Sequence, residues 1–408
     1  MTLNMICDFT YIQNIINDKE YAKSKNLIVK NINYNNNQFY LIKYNKAKLL
    51  PSNYNSIGLF RSIITDGNKI ISFSPQKSID YSTFITDQNN IVDCQLEYYE
   101  EGTMINLFVN PYNNEWEIST RSLIGAKGKF FKEANFTFRY MFLETLNELG
   151  IEFDIFDKTK SYSFVLQHKE NKIVIPHSKN TVFLTNVYSY DKFKVYENDA
   201  KLEAQQLGIP YPKEYIIQTE LTDWETLENE ITNRANQNDY KFVGVMIKNN
   251  GIRTKFRNNA YEYVKKLKGN NPKMQFQYYS LRQHSAVSEC LKFYPEYKEL
   301  FSEFRKNLHS WTRLLHQHYF DCFINKKAPI KSFPHQFKLH MWNLHQNYIN
   351  DLKDQGKHVS LQEVIKYVNQ IHPAKLMYAV NYIYRKANKD EKNMEITENL
   401  NKETMTSD

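Results

Sequence analysis

The 408-residue chain has little glycine, proline or cysteine, with 11, 11 and 4 residues respectively. So little glycine and proline excludes a collagen-like or linker protein, and an aromatic content of 15% excludes a disordered chain. The cysteines stand far apart, and no two have the spacing of a zinc finger or a redox motif; they are Cys7, Cys94, Cys290 and Cys322. We therefore expect no disulfide framework, and a reducing compartment.

Long hydrophobic runs are also missing. No apolar stretch approaches the roughly 18 residues that a membrane span needs. The first residues do not combine a basic region with an apolar core, as a secretory signal does. We therefore expect a soluble, cytoplasmic protein with no membrane partner.

The positive charge is concentrated in one region. The chain carries 53 Lys and Arg against 45 Asp and Glu, a formal net charge of +8. Residues 259–388 hold 20 of these basic and 9 of the acidic residues, the last 20 residues hold 3 and 6, and residues 1–258 hold 30 of each. A region of net charge +11 beside a neutral one favours a polyanionic partner, most often nucleic acid, although lysine-rich coding bias would raise the same count.

Residues 1–258 have the pattern of β-structure with a few helices. Paired runs of β-branched and aromatic residues flank polar turns, and the turns at 66–68 and 249–251 carry Asp-Gly and Asn-Gly hairpin signals. Further hairpins are predicted for 104–109 with 116–120 and for 163–167 with 172–176, and another strand for 181–187. Helices are predicted at 136–149 and at 224–235, the second with Asp223 as its N-cap.

From about Ala260 the hydrophobic period becomes helical. Apolar residues recur at three and four over 261–267, 281–294, 297–324, 333–351 and 361–369. We predict three regions: 1–258, a basic all-helical domain at 259–388, and a disordered acidic tail at 389–408. His318 and Cys322 stand one helical turn apart, but an isolated pair more often packs than binds metal, so no metal site is predicted.

Several segments of the first region carry a family resemblance by their order and spacing. They are FRSIIT at 60–65, SPQKS at 74–78, YEEGTMINLF at 99–108, WEISTRS at 116–122, FVGVMI at 242–247 and RTK at 253–255. Over about residues 55–265 this series resembles the adenylation domain of phage-type RNA ligases, a branch of the covalent nucleotidyltransferases. It is also similar to proteins of large DNA viruses with AT-rich genomes, which would place the protein in a viral replication compartment.

The resemblance implies an α+β fold: a nucleotidyltransferase-like domain of antiparallel sheets with helices, followed by an all-α domain. In that family a lysine attacks the α-phosphate of ATP and carries AMP, carboxylates hold Mg²⁺, and basic residues neutralise the phosphates. The AMP passes to a 5′-phosphate of RNA, and a 3′-hydroxyl displaces it. The residues that the resemblance assigns to the nucleotide are Glu101, Gly102, Arg121, Arg253 and Lys255, with Arg61 assigned to nucleic acid.

The sequence departs from the family at three positions. Tyr99 stands where the family has its nucleophilic lysine. A strand carboxylate falls on Val165 or its two following neighbours, and a second carboxylate falls on Val243. A relocated nucleophile would be Lys77 or Lys127, although Lys77 better matches a structural segment of the family.

The densest basic segment of the helical region lies at its start. Lysines stand close together there and three aromatic residues follow; the lysines are Lys265, Lys266, Lys268 and Lys273, and the rings are Phe276, Tyr278 and Tyr279. Lysines beside exposed rings suit single-stranded nucleic acid, because bases stack on rings while lysines contact phosphates. The alternative is that these rings enter the helical core.

Three hypotheses follow. The first is an RNA-ligase-like protein that binds RNA, including RNA ends, and whose adenylation site is degenerate. The second is an active RNA ligase or nucleotidyltransferase that needs ATP and Mg²⁺ and uses a displaced nucleophile. The third is an assembly or scaffolding protein that keeps only the fold. The oligomeric state stays open.

Overall fold

The computed structural model describes residues 4–87, 90–129, 135–217, 223–249 and 251–387. The chain forms two compact units, Met1–Lys265 and Lys266–Asp408. The division between them crosses a helix, Asn259–Lys268, at whose start the boundary between residues 258 and 259 was predicted. The predicted tail at 389–408 lies outside the described residues.

The N-terminal unit consists of strands interrupted by short helices. Its strands are β1 (Asn4–Asp8), β2 (Leu27–Tyr34), β3 (Asn37–Tyr44), β4 (Ile63–Thr65), β5 (Ile70–Phe73), β6 (Gln95–Tyr98), β7 (Thr103–Val109), β8 (Trp116–Thr120), β9 (Leu123–Ile124), β10 (Lys160–Gln167), β11 (Thr181–Asp191), β12 (Lys194–Asn198), β13 (Gly244–Asn249) and β14 (Ile252–Arg257). Its helices are α1 (Ile12–Asn17), α2 (Lys19–Ser24), α3 (Tyr81–Asp87), α4 (Phe138–Glu148), α5 (Ala200–Leu207), α6 (Trp224–Asn238) and the start of α7 (Asn259–Lys268).

These strands form three sheets whose strand pairs are antiparallel. The largest has the order β1-β12-β11-β10-β7-β8-β9, a second has β2-β3-β4-β5, and a third has β14-β13-β6. Aromatic and aliphatic side chains such as Phe142 and Phe164 fill the space between the seven-stranded sheet and α4. A separate cluster, which includes Phe84, Leu227 and Val245, packs α3 and α6 on one face of the three-stranded sheet.

The alternation of side chains along β14 decides which residues face that apolar cluster and which face away from it. Ile252 and Phe256 pack against the apolar cluster, and Thr254 is fully buried. Because successive strand residues point to opposite faces, Arg253, Lys255 and Arg257 all lie on the other face of the sheet. That face therefore carries three cations from a single strand.

The C-terminal unit is helical throughout its described elements. They are α8 (Met274–Gln283), α9 (Val287–Phe293), α10 (Lys298–Tyr319), α11 (His335–Asn347), α12 (Leu361–Gln370) and α13 (Pro373–Val380), with π-helical turns at Phe320–Ile324 and Tyr348–Leu352. Buried side chains such as Leu308, Leu315 and Met341 recur at helical spacing and form its core. His318 packs edge-on against Phe337, with ring centroids 4.8 Å apart.

Most of the predicted elements are confirmed. The hairpins β4–β5, β7–β8 and β13–β14 form as expected, although Asn250 in the last turn lies outside the described residues. The predicted strand at 181–187 is part of β11. Asp223 caps α6 by accepting the Thr226 N–H at 2.7 Å.

One predicted hairpin is wrong. β10 does not pair with residues 172–176, because β7 and β11 occupy both of its edges. Residues 172–176 form no strand. The backbone N–H groups of Val174 and Ile175 instead donate to the Glu101 carboxylate. A buried carboxylate therefore replaces the ladder that the apolar run predicted.

The α+β class with antiparallel sheets, followed by a helical region, is confirmed. Within the described residues, no helix has the length and apolar character needed to cross a membrane.

Gly244→Ala should destabilise the N-terminal unit by about 2–4 kcal/mol. Gly244 has a φ of +136°, and an added Cβ would lie 2.9 Å from the Arg257 Cα and in conflict with the Phe256 carbonyl. Gly150→Ala is the matched control, since Gly150 also has a positive φ of +67° but open space around it, and should cost only about 1 kcal/mol. Urea denaturation followed by tryptophan fluorescence measures both, and equal midpoints would contradict the close packing of β13 and β14.

Candidate functional site

Tyr99 and Arg257 meet across a glycine at the end of the three-stranded sheet. Tyr99 directly follows β6, and its backbone N–H donates to the Gly244 carbonyl at 3.0 Å. Gly244 pairs with Arg257 on the opposite side. Gly244 has no side chain to stand between Tyr99 and Arg257. The Arg257 Nη2 therefore lies 3.4 Å from the Tyr99 hydroxyl.

Lys255 lies beside the same ring, and Lys77 is close enough to Lys255 and Arg257 for their charges to interact. The Lys255 Nζ is 5.7 Å from the centroid of the Tyr99 ring, and the Arg257 Cζ is 5.5 Å from it. Lys77 places its Nζ 4.3 Å from the centroid of the Tyr54 ring and donates to the Ser78 carbonyl at 2.7 Å. We call Lys77, Tyr99, Lys255 and Arg257 the Tyr99 cluster.

The cations make the Tyr99 phenol acidic. Burial raises the pKa of Tyr99, but the charges of Lys255, Arg257 and Lys265 and the hydrogen bond from Arg257 together outweigh burial and lower it to about 8. An ordinary tyrosine has a pKa near 10. A substantial fraction of Tyr99 is therefore phenolate in mildly alkaline solution.

The same crowding disfavours the charged forms of the lysines. Burial, followed by the charges of Arg257, Lys77 and Arg61, lowers the pKa of Lys255 to about 8, against the opposing influence of Tyr99. Burial also lowers the pKa of Lys77, and nearby arginines act in the same direction while Asp80 opposes them. A bound anion would relieve this mutual repulsion.

Carboxylates offset part of the charge. Glu262 forms an ion pair with Arg257, and Asp80 acts on Lys77. Arg257 Nε is nevertheless buried without a hydrogen-bond partner in the part of the chain that the structure describes. The cluster thus holds a buried donor suited to an anion.

Three arginines were predicted for this site, and two of them, Arg253 and Arg61, hold the segment that carries Lys77. Arg253 donates to the Pro75 carbonyl at 3.1 Å and to the Gln76 carbonyl at 2.6 Å and 3.0 Å. Arg61 donates to the Pro75 carbonyl at 3.3 Å. Arg121 donates to the Arg61 carbonyl at 3.2 Å, and its Cζ lies 4.4 Å from the centroid of the Tyr44 ring. Arg61 and Arg253 still contribute their charge, because both lower the pKa of Lys77.

Glu101 and Gly102 follow Tyr99 closely in the chain, but their contacts are with backbone groups. The buried Glu101 carboxylate accepts the Ile175 N–H at 3.0 Å and also that of Val174. A Cβ at Gly102 would lie 2.5 Å from the Leu166 carbonyl oxygen, so only glycine fits between β7 and β10 there. These residues fix the turn that presents Tyr99.

The two positions of the family's carboxylates are apolar in the structure as well as in the sequence. Val165 lies half-buried on β10, and Val243 is buried just before β13. Gln167, also on β10, donates to Glu100 at 3.0 Å. Among the described residues no three His, Cys, Asp or Glu side chains come together as a metal site. Val165 and Val243 therefore supply no carboxylate that could hold Mg²⁺ at the Tyr99 cluster.

Lys127, the other candidate for a relocated nucleophile, lies in a different place. Its Nζ is 5.8 Å from the centroid of the Tyr34 ring, at a polar cavity of about 240 Å³ that Glu117 and Arg139 also line. Tyr34 donates to Glu117 at 2.7 Å, and Arg139 forms an ion pair with the same carboxylate. Lys127 contributes to none of the pKa shifts of the Tyr99 cluster.

The lysines predicted to contact nucleic acid are not uniformly exposed. Lys266 and Lys273 are exposed, whereas Lys268 is buried with its Nζ 5.6 Å from the Tyr294 ring centroid. Lys265 is half-buried and lies 3.9 Å from Glu262. Tyr278 and Tyr279, predicted either to stack bases or to enter the core, are buried.

Sequence reasoning missed Arg257, the residue that binds the Tyr99 hydroxyl. The signal was present in the sequence, since the alternation that makes Arg253 and Lys255 neighbours on one face continues to position 257. Nothing in the sequence indicated that Gly244 would bring it to Tyr99, because that contact depends on the pairing of β6 with β13.

Comparisons with known proteins give similarity of fold only. No protein-family model and no curated protein matches this chain. Among solved structures, an archaeal ATP-dependent RNA ligase is similar at 11% identity and a TM-score of 0.39, over 92% of this chain and 79% of that one. A Naegleria gruberi RNA ligase mutant with ATP and Mn is similar at 11% identity and a TM-score of 0.30, over 62% of this chain and 83% of that one.

Arg257→Met should raise the pKa of Tyr99 above about 8, because it removes one positive charge and the hydrogen bond to the phenolate. The pKa is measured by ¹³C NMR of labelled tyrosines, with Tyr99→Phe to assign the signal. Arg257→Lys keeps the charge and should give an intermediate value. An unchanged pKa in Arg257→Met would show that Arg257 does not control this phenol.

Proposed function

We propose that this protein binds RNA through its phosphates, and that the Tyr99 cluster takes a terminal phosphate of RNA or the phosphates of a nucleotide. Adenylylation of a lysine is not part of the proposed function. The carrying observation is that the half-buried Lys255 and Arg257 converge on a tyrosine at the position where the motif series has its nucleophile, with Lys77 close enough to lower the pKa of Lys255.

Phosphate is the anion that best suits this arrangement. It offers several acceptor oxygens and up to two negative charges, so it can engage the buried Arg257 Nε and the two lysines together. RNA as the carrier of that phosphate is supported by the resemblance of the motif series to RNA ligases and by the basic helical region. Binding would proceed without a carboxylate-held metal, because Val165 and Val243 supply no ligand.

The proposal also assigns a role to each of the two predicted domains. Residues 1–258 would act as the ligase-like domain and 259–388 as a basic domain that adds contacts to RNA. The four cysteines are free, which agrees with a reducing intracellular location such as the cytoplasm or a viral replication compartment.

Binding of phosphate should weaken as the pH rises through about 8. Below that pH Lys255 is protonated and attracts phosphate; above it Lys255 loses its charge and Tyr99 becomes negative. Affinity for a labelled RNA with a 5′-phosphate, measured by fluorescence anisotropy, should therefore fall between pH 7 and pH 9. Lys255→Met should lose about tenfold in affinity at pH 7.

Two control variants distinguish the titration of Lys255 from a general loss of positive charge. Lys255→Arg keeps a charge that does not titrate and should flatten the pH dependence. Lys48→Met removes one exposed charge of the same unit and should change little. Equal affinity for RNA with a 5′-phosphate and RNA with a 5′-hydroxyl would refute a terminal-phosphate site, and no affinity for either would favour the scaffolding alternative.

A second candidate function is nucleotidyl transfer to Tyr99 itself, and the lowered pKa of its phenol favours it. The phenolate oxygen would attack the α-phosphorus of ATP, a phosphorus–oxygen bond to tyrosine would form, and the bond to pyrophosphate would break. Pyrophosphate would leave, and the phenol proton would already have passed to solvent. Lys255 and Arg257 would neutralise the charge that develops on the phosphates.

Incubation with α-labelled ATP and Mg²⁺, followed by denaturation, decides between the candidates. The proposed function predicts no covalent label. A label that is stable in acid and absent from Tyr99→Phe would establish transfer to tyrosine. A label that acid removes, as it removes lysine phosphoramidates, would establish an active ligase-like enzyme, and Lys77→Met and Lys255→Met would identify the lysine.

A further inference from the structure

A regular row of cationic side chains lies on α10 of the helical unit. Arg305, His309 and Arg313 are spaced by four residues, so they share one face and rise about 6 Å at each step. All three are exposed. The row extends over about 12 Å of helix.

A third arginine joins the row from α8. The Tyr278 ring of α8 packs on α10, with its centroid 5.2 Å from that of Phe301 and 6.0 Å from that of Phe304. Arg282 follows Tyr278 by one helical turn and thus lies on the same side of α8, next to Arg305. Its guanidinium donates to the side chain of Asn369 on α12, which fixes its position.

The row has no matching acidic side chains. Burial lowers the pKa of His309, and the other contributions come from Arg305, Arg282 and Arg313, each in the same direction and with no carboxylate opposing them. None of these arginines takes part in an ion pair within the described part of the chain. Three arginines and one histidine thus share one face, and the arginines carry its charge at neutral pH.

We propose that Arg282, Arg305, His309 and Arg313 form a binding site for the sugar-phosphate backbone of RNA. The inference rests on the proposed function in one respect, the identity of the partner as RNA. Constant spacing along a helix suits the evenly spaced charges of a phosphate backbone, and guanidinium groups bind phosphate in a bidentate manner.

This site differs from the basic segment that the sequence indicated. Lys268 of that segment is buried and Lys265 lies beside Glu262, so fewer of its charges face solvent. The row on α10 is spread over more than thirty positions of the sequence, from 282 to 313, and only the packing of α8 on α10 brings it together.

The test uses the full chain and a labelled single-stranded RNA with a 5′-hydroxyl, so that no terminal phosphate contributes. Arg305→Gln with Arg313→Gln should weaken binding at least tenfold and reduce the slope of log affinity against log salt by about 1.4, since each phosphate contact to a single strand contributes about 0.7. Lys353→Gln with Lys375→Gln removes two exposed charges of the same unit and should leave both quantities near those of the wild type.

Binding of inorganic triphosphate keeps this inference separate from the proposed function. The double arginine variant should bind triphosphate as the wild type does, and an unchanged helical circular dichroism spectrum should show that its helical unit is folded. An unchanged RNA affinity and salt slope in that variant would refute RNA binding by the row, and would not bear on phosphate binding at the Tyr99 cluster. An equal loss in the lysine control would assign the effect to diffuse charge and overturn it as well. Equal losses of RNA and polyglutamate binding would assign the row to polyanions in general and overturn its assignment to RNA.

Discussion

Half-buried positive charge is the constraint on which the N-terminal unit depends. Removing a cation from water costs several kcal/mol unless other groups solvate it. In this unit backbone carbonyls solvate Arg253, ring faces lie beside Lys77 and Arg121, and a carboxylate pairs with Arg257. The fold of the segment at 74–78 follows from this, because its carbonyls are turned toward the arginines that need them.

The side chain at position 99 suits the charge around it. A lysine there would add a further cation beside Lys255 and Arg257. A neutral side chain that can become an anion therefore suits position 99 better than lysine does. Tyr99 accordingly has its pKa lowered by the very charges that would repel a lysine.

The sequence predicted the parts of this arrangement that are local. Alternation along 252–257 placed Arg253 and Lys255 on one face, and Asp-Gly and Asn-Gly turns located two hairpins, because such signals depend only on neighbouring residues. The role of Glu101 was beyond sequence reasoning, since the Val174 and Ile175 N–H groups that it accepts lie more than seventy positions away. The same holds for the approach of Arg257 to Tyr99, which requires strand pairing across β13.

In the helical unit, a count of charges along the chain likewise predicted the basic region but not the site within it. It located an excess of basic residues between 259 and 388, but the densest run in the sequence is not the densest group in space. Lysines close in sequence on a helix point in different directions, and Lys268 is buried as a result. Arg282 and Arg305 are far apart in sequence and close in space, because aromatic contacts between α8 and α10 align them.

The two cationic sites differ in chemistry, and this difference separates their contributions to binding. The charge of the Tyr99 cluster changes near pH 8, since Lys255 and Tyr99 both have a pKa of about 8. The row on α10 derives its charge at neutral pH from arginine, which does not titrate there, while the pKa of His309 is lowered below its usual value. Under the proposed function, a pH-dependent part of the RNA affinity would come from the Tyr99 cluster, and a part that does not change near pH 8 would come from the row on α10.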